Sequence, residues 1–300
     1  MYSSVVSLTI AIPVGNYERD KLNIFHYLDQ LHSLNAKIIL IIDDPRFVPS
    51  QDLENKLSGL GIEKVKVVNY NGRNPGGARN LAIEIADTSW IQFCDSDDSS
   101  AIEGTLKLLE SARYEKCDAI IAGFVNREAL SDDVPAKHVN LESNMINRVF
   151  RIIKNPGIWR WVFRTDVVRD CKFPETRMAE DQVFIARFLA RNPVLFFKND
   201  VIYTYNTNVS GSLTSNFQSD ELDKSLEYFS TLRIQNLSWQ NLSLICLLYH
   251  KLIYSRDKRK HTRSRSRNLL LAIKFIGNSL ISTMLIKTRI RNTIGSYGGK

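Results

Sequence analysis

The chain of 300 residues is 44% hydrophobic and 24% charged, with a formal net charge of +8. That composition excludes a disordered or fibrous protein and leaves room for one large α/β domain with an appendage, or for two domains. Four scattered cysteines without a CxxC pair (Cys94, Cys117, Cys171, Cys246) exclude a disulfide scaffold and a zinc ribbon, and fit reduced thiols in a cytoplasmic protein.

Met1 to Ile12 has no basic n-region and runs directly into a strand, so no secretory leader is expected. Ser7 to Ile12 predicts that first strand, ended by Pro13. Leu22, Phe25, Leu28 and Leu31 recur at helical spacing and predict a helix over Tyr17 to Leu34. Lys37 to Ile42 is a continuous apolar run closed by Asp43-Asp44-Pro45, as expected of a parallel strand buried on both faces. A helix near Asp52 to Leu60, a strand over Val65 to Val68, a helix over Gly76 to Ala86 and the alternating run Trp90 to Cys94 continue the series. Cys117 to Phe124 reads as a strand, Ala179 to Leu189 as a helix and Val194 to Tyr205 as a strand. This order predicts an α/β fold with an open, mostly parallel sheet flanked by helices.

Ligands of such sheets bind beyond the carboxyl ends of the strands. Asp43/Asp44, Asn74-Pro75-Gly76-Gly77 and Asp95-Ser96-Asp97-Asp98 all fall on that edge. Three carboxylates packed at a strand end repel one another unless something positive lies among them, and a divalent metal carrying a nucleoside diphosphate supplies that charge. A polar turn in which Asp98 caps a helix is the plainer alternative. No GxGxxG follows the first strand and no GxxxxGK[ST] occurs, which excludes the Rossmann dinucleotide and P-loop sites.

Taken together, these motifs resemble the inverting glycosyltransferases of the GT-A fold, family 2, over about residues 7 to 215. Leu8 to Pro13 with Asn16 is similar to that family's opening strand, Ile41-Ile42-Asp43-Asp44 to its DD strand end, and Gly76-Gly77-Ala78-Arg79-Asn80 to its helix signature. Asp95 to Asp98 is similar to its DxDD, Lys172-Phe173-Pro174 with Ala179-Glu180-Asp181 to its later helix start, and Tyr203, Tyr205 and Ser212-Leu213-Thr214 to the element that follows. Gly15, Pro45 and Trp161 depart from the family pattern.

The resemblance implies a metal-dependent, inverting transfer of a sugar from a nucleotide-sugar donor to a saccharide or lipid-linked saccharide acceptor, in bacterial surface polysaccharide or lipid-linked oligosaccharide synthesis. Pro13, Asp44, Arg79 and Asp95 are then the donor-binding residues, with Asp44 on the base and Asp95 on the ribose. Asp97 holds Mn²⁺ or Mg²⁺, Asp181 is the catalytic base, and Glu180 and Trp159 face the acceptor. The expected division is a GT-A-like, Rossmann-like catalytic domain over 1–220 and a helical, basic extension over 221–300. A sugar-phosphate nucleotidylyltransferase is the first rival, but Val14-Gly15-Asn16 is a poor phosphate loop. A non-catalytic membrane or nucleic-acid binding protein is the second, and it leaves the acidic edge unexplained.

Twelve Lys and Arg against Asp257 alone lie from Arg256 onward. The excess positive charge therefore belongs to the tail and implies an anionic surface there. Leu242, Ile245, Leu248 and Leu252, then Leu269, Ile273, Ile276, Leu280 and Met284, recur at helical spacing, with Lys274, Asn278 and Ser282 as a polar stripe through the second group. These segments read either as interfacial helices on anionic lipid or as a bundle packed on the catalytic domain. The first reading implies a cytoplasmic protein held peripherally at the inner face of the plasma membrane; nucleic acid is not an expected partner.

Overall fold

The computed structural model describes residues 6–112, 116–128, 137–138, 152–153, 155–207, 219–232 and 237–260. Strands β1 (Leu8–Val14), β2 (Ala36–Ile42), β3 (Val65–Asn69) and β4 (Trp90–Phe93) pair in parallel in the order β3-β2-β1-β4. Helices α1 (Tyr17–Asp29), α2 (Gln51–Leu60) and α3 (Pro75–Ile85) make the crossovers between them. β5 (Ser99–Ser100), α4 (Ile102–Ser111), β6 (Ala119–Glu128) and β7 (Lys137–His138) follow. A 3₁₀ turn over Ile158–Arg160 then leads into β8 (Trp161–Arg164) and α5 (Thr165–Val168). α6 (Glu180–Leu189), β9 (Leu195–Thr207), α7 (Ser219–Ser230) and α8 (Trp239–Lys260) complete the described chain.

The sheet order is β3-β2-β1-β4-β8-β6-β9-β5, with β7 on β6. β8 is antiparallel to both neighbours, β6 and β9 are parallel, and β5 is antiparallel to β9. The expected open α/β sheet with its parallel half β3-β2-β1-β4 is present, and the antiparallel pairings of β8, β7 and β5 make the sheet as a whole mixed.

Pro13 lies inside β1 instead of ending it. The Ala11 carbonyl accepts the Cys94 N–H toward β4, and the Val14 carbonyl accepts the Asp43 N–H toward β2. Alternation therefore points Pro13 toward the β4 side, where that strand has already stopped opposite Ala11. The missing N–H costs the ladder nothing there. α1 stops at Asp29, short of Leu34, because the backbone bonds tighten to i→i−3 turns beyond it, Leu31 N–H to the Leu28 carbonyl and Leu34 N–H to the Leu31 carbonyl. Gln30 donates to the Ser100 carbonyl and accepts the Ile102 N–H, both at 3.0 Å. It thereby caps α4, whose own N-cap residue, Ala101, has no side chain able to do so.

Period-two burial divides the core between the two faces of the sheet. Leu8, Ile10, Ile12, Ile38 and Leu40 pack under α1 and α4. Ala11, Ile39, Ile41, Ile91 and Phe93 pack under α3 and α6. Leu222 and Phe229 of α7 and Leu244, Ile245, Leu248 and Leu252 of α8 join that second core. Each such side chain, fully buried, contributes about 1.5–3 kcal/mol. The apolar stripe of α8 is thus occupied by protein. The group from Leu269 to Met284, the Ser212-Leu213-Thr214 motif and the basic run after Lys260 lie outside the described residues. Among the described residues no helix is long and apolar enough to cross a membrane.

Candidate active site

A cleft of about 730 Å³ opens at the carboxyl edge of the parallel strands. The start of α3 builds its floor. Asn74 caps the helix by accepting the Gly77 N–H at 2.6 Å, and Pro75 takes the first helical position. A Cβ on Gly76 would lie 2.2 Å from the Pro174 carbonyl oxygen, so only glycine allows the segment before α6 to come so near. Asn80 pins the same segment, donating to the Phe173 carbonyl and accepting its N–H. Phe173 stacks on Phe184 of α6 with centroids 3.8 Å apart.

This approach lets one buried side chain join two walls. Arg79 donates to Asp95 Oδ1 and to Glu180 Oε1, each at 2.7 Å. Burial opposes its charge, but the two carboxylates outweigh it, and the guanidinium is held above its usual range. Losing both partners would strand a buried cation, an uncompensated charge costing several kcal/mol.

The acidic loop after β4 divides its carboxylates by task. Asp98 accepts the Tyr203 hydroxyl and the Asn206 N–H, each at 2.7 Å. Burial, then the Asp95 charge, pushes its carboxyl up to about 8. It fastens the loop to β9. Asn206 also donates to the Asp97 carbonyl. Asp97 points its carboxylate into the cleft, and burial, then Asp95, raises it to about 6. Among the described residues no three His, Cys, Asp or Glu side chains form a metal cage. Hard carboxylate oxygens from Asp97 and the neighbouring Asp95, with the remaining positions left to phosphate oxygens and water, fit Mg²⁺ or Mn²⁺.

The DD pair at the end of β2 is arranged the other way round from the expectation. Asp44 is absent from the cleft wall: it accepts the Tyr17 N–H at 3.1 Å and the Arg46 N–H at 3.0 Å. Burial raises its carboxyl, but these bonds outweigh it and hold it below the ordinary carboxylate range. Asp44 therefore shapes the turn into α1, and Asp43 lines the cleft beside Pro13. Asp43 accepts the Arg73 N–H at 3.0 Å, and burial raises its carboxyl.

The Glu180-Asp181 pair also splits. Ala179 enters α6 in the left-handed region, φ 60°, an uncommon conformation for a residue with a Cβ. Glu180 also lines the cleft, with its Oε1 accepting from Arg79. Asp181 lines the cleft, and burial, then the Glu180 charge, pushes its carboxyl up to about 7 against the pull of Arg79. Trp159 reaches the cleft wall but is only 6% exposed. It stacks on Tyr203 at 4.7 Å and Tyr205 at 5.5 Å. Trp161 is core, stacked on Phe163. Sequence reasoning missed Arg19, Asn206 and the α7–α8 contributions Leu222, Leu252 and Ser255 to the cleft; only the spacing of Leu248 and Leu252 hinted at the last.

A family model described as glycosyl transferase family 2 matches residues 9–170. The fold is similar to that of S. aureus TarS 1-349, at 17% identity and a TM-score of 0.61, over 91% of this chain and 80% of that one. It is equally similar to the same fragment in complex with UDP-GlcNAc, at 16% identity, a TM-score of 0.61 and the same coverage. The mannosyltransferase PcManGT from Pyrobaculum calidifontis, in complex with GDP-Man and Mn²⁺, is similar at 8% identity and a TM-score of 0.55, over 94% of this chain and 88% of that one. No curated protein matches the chain. With a family match over more than half of its residues and this architecture, the protein belongs to glycosyl transferase family 2 and is a glycosyltransferase of the GT-A fold.

Proposed function

We propose that the protein transfers a sugar from a nucleotide-sugar donor to an acceptor hydroxyl with inversion, using a divalent metal. One observation carries this reading: Arg79 ties an acidic loop that offers Asp97 to a helix that offers a single raised carboxylate, Asp181, to the same cleft. An inverting transfer needs one base and no enzyme nucleophile. Asp181 takes the acceptor proton as the acceptor oxygen bonds to the anomeric carbon. The bond from that carbon to the diphosphate oxygen breaks, and the nucleoside diphosphate leaves with the electron pair. A metal held by Asp97, with Asp95 beside it, supplies Lewis-acid stabilisation of that leaving charge when bound. Asp43, in place of Asp44, is positioned for the base, with Pro13 beside it. Arg79 keeps Asp95 directed at the ribose, and Trp159 gives the acceptor a rigid aromatic edge.

The nucleotide complexes of TarS and of PcManGT support the donor class, and the Mn²⁺ in the latter supports the metal. A cell-surface polysaccharide or a lipid-linked oligosaccharide is the proposed product. In a screen of UDP- and GDP-sugars, at least one donor should be hydrolysed slowly in the presence of Mn²⁺ and spared with EDTA. A full panel left intact under both conditions would overturn this reading.

Attachment to an anionic membrane at the cytoplasmic face is proposed for the basic segment that starts in the last turn of α8, because the apolar stripe of α8 is spent on the core. Binding to phosphatidylserine vesicles should weaken with salt, each Lys or Arg near the surface contributing about 1 kcal/mol. Replacing Lys258, Arg259 and Lys260 by Ser should release the protein at moderate ionic strength. A protein that ignores such vesicles at low salt has no electrostatic anchor.

A further inference from the structure

Arg19 stands in the first turn of α1, where Asn16 accepts its backbone N–H at 3.2 Å. Its guanidinium forks onto Asp20, with Nε to Oδ1 at 2.5 Å and Nη2 to Oδ2 at 2.9 Å. Asp20 is 1% exposed, and its Oδ2 also accepts the Ser96 hydroxyl at 2.6 Å. The fork is therefore locked to the loop that carries Asp95 and Asp97. The same Nη2 lies 3.5 Å from Asp97 Oδ2, and Arg19 lines the cleft. Swinging the guanidinium away would leave a buried carboxylate without its counter-charge, so this cation is fixed in place.

We propose that Arg19 is the resident counter-ion of Asp97: it suppresses the binding of a free divalent cation, so that the metal binds together with the diphosphate of the donor. The inference rests on reading Asp97 as the metal-binding carboxylate. A cation bound to Asp97 would lie roughly 5–6 Å from the guanidinium, given a metal–oxygen bond of about 2.1 Å. Repulsion between a divalent ion and a unit charge at that distance, even in a wet cleft, lowers affinity about tenfold. A diphosphate reverses the balance, because its negative charge binds the metal and offers the guanidinium an acceptor of its own. The device keeps the acidic loop neutralised in the empty enzyme without committing a metal to it.

The test is Mn²⁺ titration followed by electron paramagnetic resonance of the free ion, alone and with UDP or GDP. Wild type should bind Mn²⁺ weakly alone and far more tightly with nucleotide. R19Q should bind Mn²⁺ alone about tenfold more tightly and gain less from nucleotide. The double variant R19Q/D20N, which strands no buried carboxylate, should shift in the same direction by a smaller factor. R19Q binding Mn²⁺ alone no more tightly than wild type overturns the inference, and if it also loses nucleotide affinity Arg19 is a phosphate ligand only. Mn²⁺ bound by neither protein, even with nucleotide, overturns the metal reading together with it.

Discussion

Asp97→Ala should abolish the Mn²⁺-dependent part of nucleoside diphosphate binding, on the order of 100-fold in affinity, while the fold persists. A Lewis-acid contact of this kind contributes several kcal/mol, and the neighbouring carboxylates of the acidic loop are each already engaged. Asp98 is held by Tyr203 and Asn206, and Asp95 by Arg79. Stability should not suffer. Burial and the Asp95 charge lift the Asp97 carboxyl to about 6 from an ordinary value of 3.8. The native state therefore holds a proton that the unfolded chain has lost between those two values, and stability falls as pH rises through that window. Alanine removes the fall, so the variant should melt no lower than wild type at pH 8. Calorimetric titration of UDP and GDP with Mn²⁺ and with EDTA decides the matter. Equal nucleotide affinities in both media for both proteins remove the metal from the mechanism.

Asp181→Asn should keep donor affinity and lose transfer by about 10²–10⁴-fold, the range of a general base. The substitution preserves shape, and Asn still offers an oxygen to the Gln182 N–H that Asp181 binds at 2.7 Å. It removes the proton acceptor alone. In the wild type, a carboxyl raised to about 7 must ionise before it can act, so transfer should rise with pH through that region and then level off. The same shift makes the ionised carboxylate a cost to folding above the unfolded value. Relative to wild type, the Asn variant should therefore gain stability as pH rises from 4 to 8. Single-turnover transfer and melting temperature across this range separate the two effects. Transfer at the wild-type rate would reassign Asp181 to the start of its helix.

The first half of the fold was legible because each parallel strand is a short, largely apolar stretch and each crossover helix has a cap, Asn16, Ser50 or Asn74, ahead of it. β8 was not legible as a strand. Trp161 to Arg164 is short and aromatic, and only its insertion between β4 and β6 makes it a strand. The site was readable to the level of the motif but not of the residue. Nothing local distinguishes Asp43 from Asp44, since the difference lies in which carboxylate the Tyr17 and Arg46 N–H groups claim. Glu180 and Asp181 likewise separate only because Arg79, about a hundred residues earlier, takes one of them. Arg19 could not be found at all, because an arginine beside an aspartate in a helix reads as an ordinary surface pair.

The second core has a consequence for the order in which the molecule assembles. Ala11, Ile39, Ile41 and Phe93 are all synthesised in the first third of the chain, but α6, α7 and α8, which cover much of that face, come after residue 179. As the chain leaves the ribosome, α1 and α4 can close one face early, while the other has only α3 for shelter. The Arg79 junction cannot form until Glu180 emerges, so the catalytic cleft is completed by contacts of high sequence separation, which form late and slowly. Binding competence and a closed hydrophobic core thus arrive in a single step, and a nascent chain stopped before α6 has neither.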